Sequence, residues 1–344
     1  MVFQRDLNLY PLIISIPDSQ EIIALSDIHG ALPEMINTLI YTKVLIPEDD
    51  EVSLKGFSAI DFSEIKNPGS FKKFFTLSCK NRVIVFCGDY INRGAYSKEV
   101  IDLIFFLETE AFGQKGAKVV SLLGNHEIIL LNGKLQKRIN KNSAKAQAYI
   151  ATLKSFQRSS LFKEKDLNSV VSPENIYGKW FQTRPIAARV GDVFFIHAGI
   201  DPGYSVFNSK NALFNELESK FTEALEKGVW DKKILFSKYS PKNSSWFEDA
   251  QKVDSMLKGL DCRYIVFGHD PGAINRKGLI GSFLDRVFNI DVGMTPSKGY
   301  SSGGALIIKK NSYDKRDFWA VESLRPDKKN QATINSVFEE RLMN

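Results

Sequence analysis

Five short apolar runs in this chain stop at small, polar residues able to bind metal or phosphate, and this repeated ending limits the fold more than any other feature. The run at 21–26 leads into Asp27-Ile28-His29-Gly30. The run at 82–87 leads into Gly88-Asp89-Tyr90-Ile91-Asn92-Arg93-Gly94, and the run at 118–123 into Gly124-Asn125-His126-Glu127. Two later runs end in His197-Ala198-Gly199 and Gly268-His269. Helix-period stretches over about 31–43 and 97–110 separate the first three. Strand followed by helix, repeated, is the pattern of a layered α/β fold. In open α/β sheets ligands gather at the carboxyl ends of the strands, so the five endings are expected to converge on one place.

The rest of the chain is organised around these runs. Residues 47–75 read as a polar, Phe-containing insertion. Residues 128–180 read as mostly helical, with a basic stretch at 134–145 taken as a solvated helix face. A hairpin is expected from 185–190 and 193–197 around Gly191-Asp192. Helices are expected at 211–227 and 249–258, and strands at 263–267, 286–291, 304–308 and 318–321. The stretch 323–344 is polar and expected to be peripheral. The expected organisation is one domain over 1–325, with insertions at about 47–75 and 131–180, and a polar C-terminal segment at 326–344.

Charge and composition exclude several function classes. A net charge of +6 with a pI near 8.9 suits an anionic substrate. It falls short of the dense basic face of a dedicated nucleic-acid binder, so no specific nucleic-acid partner is expected. No 18-residue apolar run exists to span a membrane, and the N-terminus lacks the basic start and long apolar block of a signal peptide. Cys79, Cys87 and Cys262 are odd in number and form no CxxC pair. They read as small core residues rather than as a disulfide framework or a zinc knuckle. The default compartment is the cytoplasm of the producing cell, and signal-less export into a host is compatible with the same features. Oligomeric state leaves no mark in the sequence.

All four histidines, His29, His126, His197 and His269, lie at the ends of apolar runs beside Asp or Asn. One such histidine would be unremarkable; four together point to metal. Asp27, His29, Asp89, Asn125, His197 and His269 offer oxygen and imidazole nitrogen and no sulfur, a donor set suited to manganese first, with iron or zinc also compatible. Six ligands are too many for one ordinary site. Shared by two divalent ions with one bridging carboxylate, they make a bimetal centre, with ions ~3.5–4 Å apart, that polarises phosphoryl oxygens and supplies a hydroxide for in-line attack.

These motifs, in this order over about residues 21–310, resemble the calcineurin-like metallophosphoesterases and, more narrowly, the PPP phosphoprotein phosphatases. The resemblance implies a central β-sandwich flanked by helices, with helical insertions. It implies that Asp27, His29 and Asp89 hold one ion and that Asp89, Asn125, His197 and His269 hold the other, with Asp89 bridging. It makes Arg93, with Asn125, a binder of the substrate phosphate, His126 the general acid toward the leaving oxygen, and Glu127 a supporting residue. Diesterase and nuclease relatives usually end in Gly-His-x-His; here the sequence is Gly268-His269-Asp270-Pro271, which favours the monoesterase branch. The stretches 184–192 and 289–294 (Asn-Ile-Asp-Val-Gly-Met) resemble the bacterial-type Shelph phosphatases, a branch associated with phosphotyrosine as well as phosphoserine and phosphothreonine.

Two departures stand out. Asn92 occupies the place where the family has an Asp paired with the catalytic histidine. An amide can accept a hydrogen bond from imidazole but brings no charge. His126 is therefore expected to have a lower pKa than an Asp partner would give, with a lower or pH-shifted rate. Second, relatives often carry a phosphate-gripping Arg after a Trp. The nearest match here, Ser244-Ser245-Trp246-Phe247-Glu248-Asp249, has none, with Lys238 and Lys242 as substitutes. The expected function is a metal-dependent phosphoprotein phosphatase acting on phosphorylated protein or peptide. Its rivals are a dinucleoside polyphosphate (diadenosine tetraphosphate) hydrolase, which the Asn92 departure favours, and a catalytically weakened phosphoprotein-binding module. The insertions are expected to shape substrate access or to offer a docking surface.

Overall fold

The computed structural model describes residues 5–49, 64–140, 146–199, 249–274, 276–295, 299–324 and 339–343, with isolated positions between them. In chain order the elements begin with β1 (Ile13–Ile16), β2 (Glu21–Leu25), α1 (Leu32–Tyr41), β3 (Leu45–Pro47), β4 (Phe75–Leu77), β5 (Arg82–Phe86), α2 (Ser97–Phe112) and β6 (Lys118–Ser121). Then come α3 (Asn125–Leu131), α4 (Lys134–Asn140), α5 (Ala146–Gln157), α6 (Leu167–Val170) and α7 (Ile176–Thr183). The last group is β7 (Ala187–Val190), β8 (Val193–Ile196), α8 (Ala250–Leu260), β9 (Tyr264–Phe267), β10 (Gly281–Phe283), β11 (Val287–Asn289), β12 (Ser301–Lys310), β13 (Arg316–Leu324) and β14 (Glu339–Leu342).

Two six-stranded sheets form the centre, in the orders β14-β13-β12-β2-β5-β6 and β1-β7-β8-β9-β11-β10. In the first, β2, β5 and β6 are parallel neighbours, with Ile23 opposite Ile84 and Val85 opposite Val120. In the second, β8, β9 and β11 are parallel neighbours, with Phe195 opposite Val266 and Val266 opposite Phe288. Each sheet thus sends three adjacent strands to one edge, and the five polar endings read from the sequence all leave from those edges.

Strand alternation explains how the layers meet. Val193 and Phe195 of β8 enter the core shared with β2 and β5, while Phe194 and Ile196 face a second cluster with Val253, Met256 and Leu260 of α8. Leu32, Met35 and Leu39 of α1 and Val100, Ile104 and Leu107 of α2 join the first core. This is the expected α/β architecture, two sheets flanked by helices. Cys79, Cys87 and Cys262 are buried free thiols, as read.

Several boundaries differ from expectation for physical reasons. β6 ends at Ser121 and α3 already starts at Asn125, so the third motif lies in the first turn of a helix rather than in a loop. The cause is Glu127, three residues after Gly124, whose carboxylate accepts the Gly124 N–H at 2.9 Å and caps the turn. The 47–75 insertion is closed at its base by the antiparallel pair β3-β4 and contains a 3-10 turn, Pro68–Lys73, whose Phe71 packs on Phe106 of α2. Residues 339–342 are peripheral, as expected, and there form an edge strand, β14, paired with β13. On α4, Lys134, Lys137 and Arg138 are exposed, the solvated face that was expected. The helix expected at 211–227 lies largely outside the described residues.

The turns after β2 and β5 are zipped together. Asp27 N donates to Gly88 O at 3.1 Å, His29 N to Asp89 O at 2.8 Å, Gly30 N to Tyr90 O at 2.7 Å and Gly94 N to His29 O at 2.8 Å. Closure this tight needs Gly30 and Gly94 back to back: a Cβ on Gly94 would sit 2.5 Å from Gly30 O. Gly94→Ala should therefore lower unfolding free energy by about 1–3 kcal/mol, the usual cost of overpacking. A urea melt with an unchanged midpoint would show that the two turns are not rigidly coupled.

Candidate metal centre

The residues that leave the strand edges carry unusual backbone. Asp27 (φ 52°), His29 (49°), Asp89 (59°), Asn92 (74°), Arg93 (66°) and His269 (75°) all lie in the left-handed region. Each such non-glycine residue costs of order 1–3 kcal/mol and persists only where its surroundings over-determine it. Here the zipped backbone bonds do so, and the result is that side chains from both sheets turn toward one point.

That point is Asp89. Its Oδ2 lies 3.5 Å from His29 Nε2, 3.5 Å from His197 Nε2 and 3.8 Å from His126 Nε2. On one side Asp27 Oδ1 is 3.7 Å from His29 Nε2. On the other, Asn125 Oδ1 is 3.0 Å from His197 Nε2 and 3.2 Å from His269 Nδ1. All six residues expected to hold metal are thus brought together, in two groups sharing Asp89. Among the described residues two groups of His and Asp close tightly enough to hold an ion, Asp89, His197 and His269, and His29, Asp89 and His126, the second with His126 where Asp27 was expected.

The donor chemistry fits cations. His29 Nδ1 faces Ile91 O and His197 Nδ1 faces Cys87 O, both at 2.8 Å. A carbonyl can only accept, so each Nδ1 carries a hydrogen, and in the neutral tautomer that this requires Nε2 is the lone-pair nitrogen facing Asp89. This outer hydrogen bond is the usual way a metal-binding imidazole is oriented. Asp27 Oδ1 and His29 Nε2 are buried without a hydrogen-bond partner. Lone pairs held ~3.5 Å apart with no proton between them repel unless a cation intervenes. The Asn125 amide fits the same logic. With its oxygen inward it joins the second ligand group; turned over, Nδ2 would donate to Asp89 Oδ2 at 2.8 Å and to His197 Nε2 at 3.0 Å. The first orientation suits an ion-holding site and the second an ion-free one.

Electrostatics agree. Burial, then the charge of Asp27, pushes the Asp89 carboxyl well above the ordinary range, and the same two causes act on Asp291. Burial, then Arg93, holds His29 and His126 well below the ordinary imidazole value. Acids that resist ionisation beside imidazoles that resist protonation make a site that bound cations would relieve. Asp291 sits just after β11; its Oδ1 accepts from Gly293 N at 2.8 Å and its Oδ2 has no partner.

Around this set, Glu127 is a brace. Its carboxylate accepts from the N–H groups of Asp89 at 2.8 Å, Tyr90 at 2.9 Å and Gly124 at 2.9 Å. Burial, then Asp89, nonetheless pushes its pKa up to about 8. Asp89 Oδ1 in turn accepts from His126 N at 2.8 Å. Arg93 is half-buried on the left-handed turn after Asn92.

Asn92 and His126 do meet, at 2.6 Å between Nδ2 and Nδ1, but with the hydrogen bond reversed from the sequence reading. The Asn92 oxygen is taken by the Thr152 hydroxyl at 2.8 Å, which leaves the amide N–H to donate to the imidazole. His126 therefore accepts at Nδ1 and carries its hydrogen on Nε2, toward Asp89. The lowered pKa of His126 has burial as its first cause and the charge of Arg93 as its second, and Asn92 is not among the leading causes. The residues around Trp246, with Lys238 and Lys242, lie outside the described residues.

Comparison with known proteins matches this geometry. The model of the family described as calcineurin-like phosphoesterase matches residues 21–273. The chain is 23% identical over 314 residues to Shewanella-like protein phosphatase 1 of Plasmodium berghei (strain Anka), covering 86% of this chain and 73% of that protein. The crystal structure of a cold-active protein-tyrosine phosphatase from a psychrophilic Shewanella species aligns with a TM-score of 0.60 and 18% identity, over 95% of this chain and 81% of the other. A protein serine/threonine phosphatase from Saccharomyces cerevisiae, with similarity to human phosphatase PP5, aligns with a TM-score of 0.51 and 15% identity, over 93% of this chain and 87% of that one. The two sheets, their parallel strand edges and the matched motifs together place this chain in the calcineurin-like phosphoesterase family.

Proposed function

We propose that this phosphoesterase is a metal-dependent phosphoprotein phosphatase that hydrolyses phosphoserine, phosphothreonine or phosphotyrosine monoesters. The observation that carries the reading is the grouping of all six donor side chains around Asp89, with the His126 Nε2–H directed into the same space. Two divalent ions bound there, manganese first among the candidates, would polarise the phosphoryl oxygens and lower the pKa of water to give the nucleophile. Arg93 suits the phosphate with a planar fork of donors. His126 offers its Nε2–H to the leaving oxygen as charge builds on it. The single histidine of Gly268-His269-Asp270-Pro271 and the likeness to a Shewanella-like protein phosphatase favour monoesters on protein. Asn92 supports a second reading, a dinucleoside polyphosphate hydrolase.

Rates on phosphotyrosine, phosphoserine and phosphothreonine peptides beside diadenosine tetraphosphate decide between the two. A phosphopeptide should be turned over faster, and preference for the dinucleotide would replace the proposal. His126→Ala should lower turnover of a phosphoserine peptide by roughly 10²–10⁴-fold, the span of general acid–base contributions, while metal content by elemental analysis stays at that of the wild type. Aryl phosphates, whose leaving groups need little help, should lose far less; equal losses would remove His126 from the leaving-group step. Chelation should abolish turnover and lower the melting temperature, because ion binding to the donors grouped around Asp89 would no longer stabilise the folded state. A melting temperature indifferent to chelator would mean that the donors hold no ion.

A further inference from the structure

Helix α5 belongs to the second insertion, whose role the sequence leaves open between substrate access and docking. The structure gives it a different contact. One face of α5, at Ala148, Thr152 and Ser155, runs along the turn that carries Asn92 and Arg93 and along the start of α2. This is the i, i+4, i+7 spacing of a single helix face. Ala148 O accepts from Arg93 N at 3.1 Å. Thr152 Oγ1 accepts from Asn92 N at 2.9 Å, donates to Asn92 Oδ1 at 2.8 Å and lies 3.1 Å from Ser97 Oγ, which itself accepts from Asn92 N at 3.1 Å. Ser155 Oγ accepts from Lys98 N at 2.8 Å and donates to Glu99 at 2.7 Å. Thr152 and Asn92 are both fully buried, with no exposed surface.

We infer that Thr152 is a positioning residue for the leaving-group step: its hydroxyl fixes which way the Asn92 amide faces, and Asn92 in turn fixes the ring hydrogen of His126. The inference rests on the role proposed for His126 above. An amide has two unlike ends. Only with the oxygen held by Thr152 does the N–H end face His126 Nδ1, keep that nitrogen an acceptor and leave the hydrogen on Nε2. A carboxylate at position 92 would have two like oxygens and no wrong orientation. Dependence on the Thr152 hydroxyl is therefore tied to Asn at this position, and the insertion supplies what an amide lacks. The same face holds two consecutive left-handed residues, Asn92 by two hydrogen bonds with the Thr152 hydroxyl and Arg93 by one main-chain bond to Ala148.

The test is a substitution cycle in the metal-loaded, full-length protein, read on a phosphoserine peptide and an aryl phosphate. Thr152→Val keeps the volume and removes the hydroxyl. It should lower kcat on the phosphoserine peptide about tenfold, part of the ~10²–10⁴ available to acid–base help. KM and aryl phosphate turnover should stay within about twofold of wild type by the same reasoning. Thr152→Ser should restore the rate. In an Asn92→Asp background, Thr152→Val should cost no more than about twofold, since the carboxylate needs no orienting. A tenfold loss that persists in the Asp background, falls equally on both substrates or is not rescued by Ser would overturn the inference and leave Thr152 a packing residue. Should Thr152→Val fail to fold, Thr152→Ala makes the same comparison with less bulk. His126→Ala in the same panel separates the two levels. If it spares the phosphoserine rate, the reading of His126 fails. If it lowers that rate while Thr152→Val does not, only the inference fails.

Discussion

The site depends on a reciprocal exchange between two carboxylates at the ends of β5 and β6. Glu127 accepts the main-chain N–H of Asp89, and Asp89 accepts the main-chain N–H of His126. Both acids are buried, and buried N–H groups need acceptors. Each acid thus satisfies the backbone that carries the other motif. The exchange locks the start of α3 against the turn after β5. It also leaves Asp89 Oδ2, the oxygen not used in the lock, facing three imidazole Nε2 positions at 3.5–3.8 Å. Without the lock there is no reason for Asp89 to sit between the two sheets' ligand sets.

The second constraint is backbone strain. Left-handed φ values at Asp27, His29, Asp89, Asn92, Arg93 and His269 would be costly if each stood alone. They are tolerated because the turns are fastened to one another across the strand edges, and because α5 fastens the Asn92–Arg93 turn from outside. The same arrangement concentrates destabilising charge. Asp27, Asp89 and Asp291 press on one another in a desolvated space. Ion binding would then contribute to folding as well as to chemistry, so the stability and the reactivity of this fold share one set of atoms.

Much of this was legible in the sequence, and the legible part has a common cause. Val83-Ile84-Val85-Phe86 and Val119-Val120 are short β-branched runs buried on both faces, which is how parallel strands read. Gly191-Asp192 marks its hairpin by turn chemistry. The candidate ligand residues stood out because His, Asp and Asn at the ends of such runs have few other uses. What escaped had no local signal. Ile13–Ile16 pairs with Ala187–Val190, far along the chain. Glu339–Leu342 is a charged edge strand without apolar alternation, as edge strands often are. The start of α3 did carry a signal, Glu127 three residues after Gly124, that a capping reading would have caught. Thr152 carried none: a lone threonine in an insertion helix looks the same whether it faces solvent or the Asn92–Arg93 turn.

That asymmetry bears on how the change from Asp to Asn at position 92 should be judged. Read alone, Asn92 removes a negative charge and weakens the acid arm. Read with Thr152, it exchanges one way of orienting an imidazole for another. A carboxylate holds a protonated ring by charge and accepts at Nδ1–H. An oriented amide instead donates to Nδ1 and favours the neutral ring with hydrogen on Nε2. The two ask different things of the leaving group. A charged ring can deliver a full proton to a poor leaving alkoxide, whereas a neutral ring offers mainly a hydrogen bond, which suffices best where the departing oxygen is already a weak base. Were His126 to act on the leaving oxygen as proposed, the pairing of Asn92 with Thr152 would favour phenolic leaving groups over alkyl ones without altering any of the donor residues grouped around Asp89.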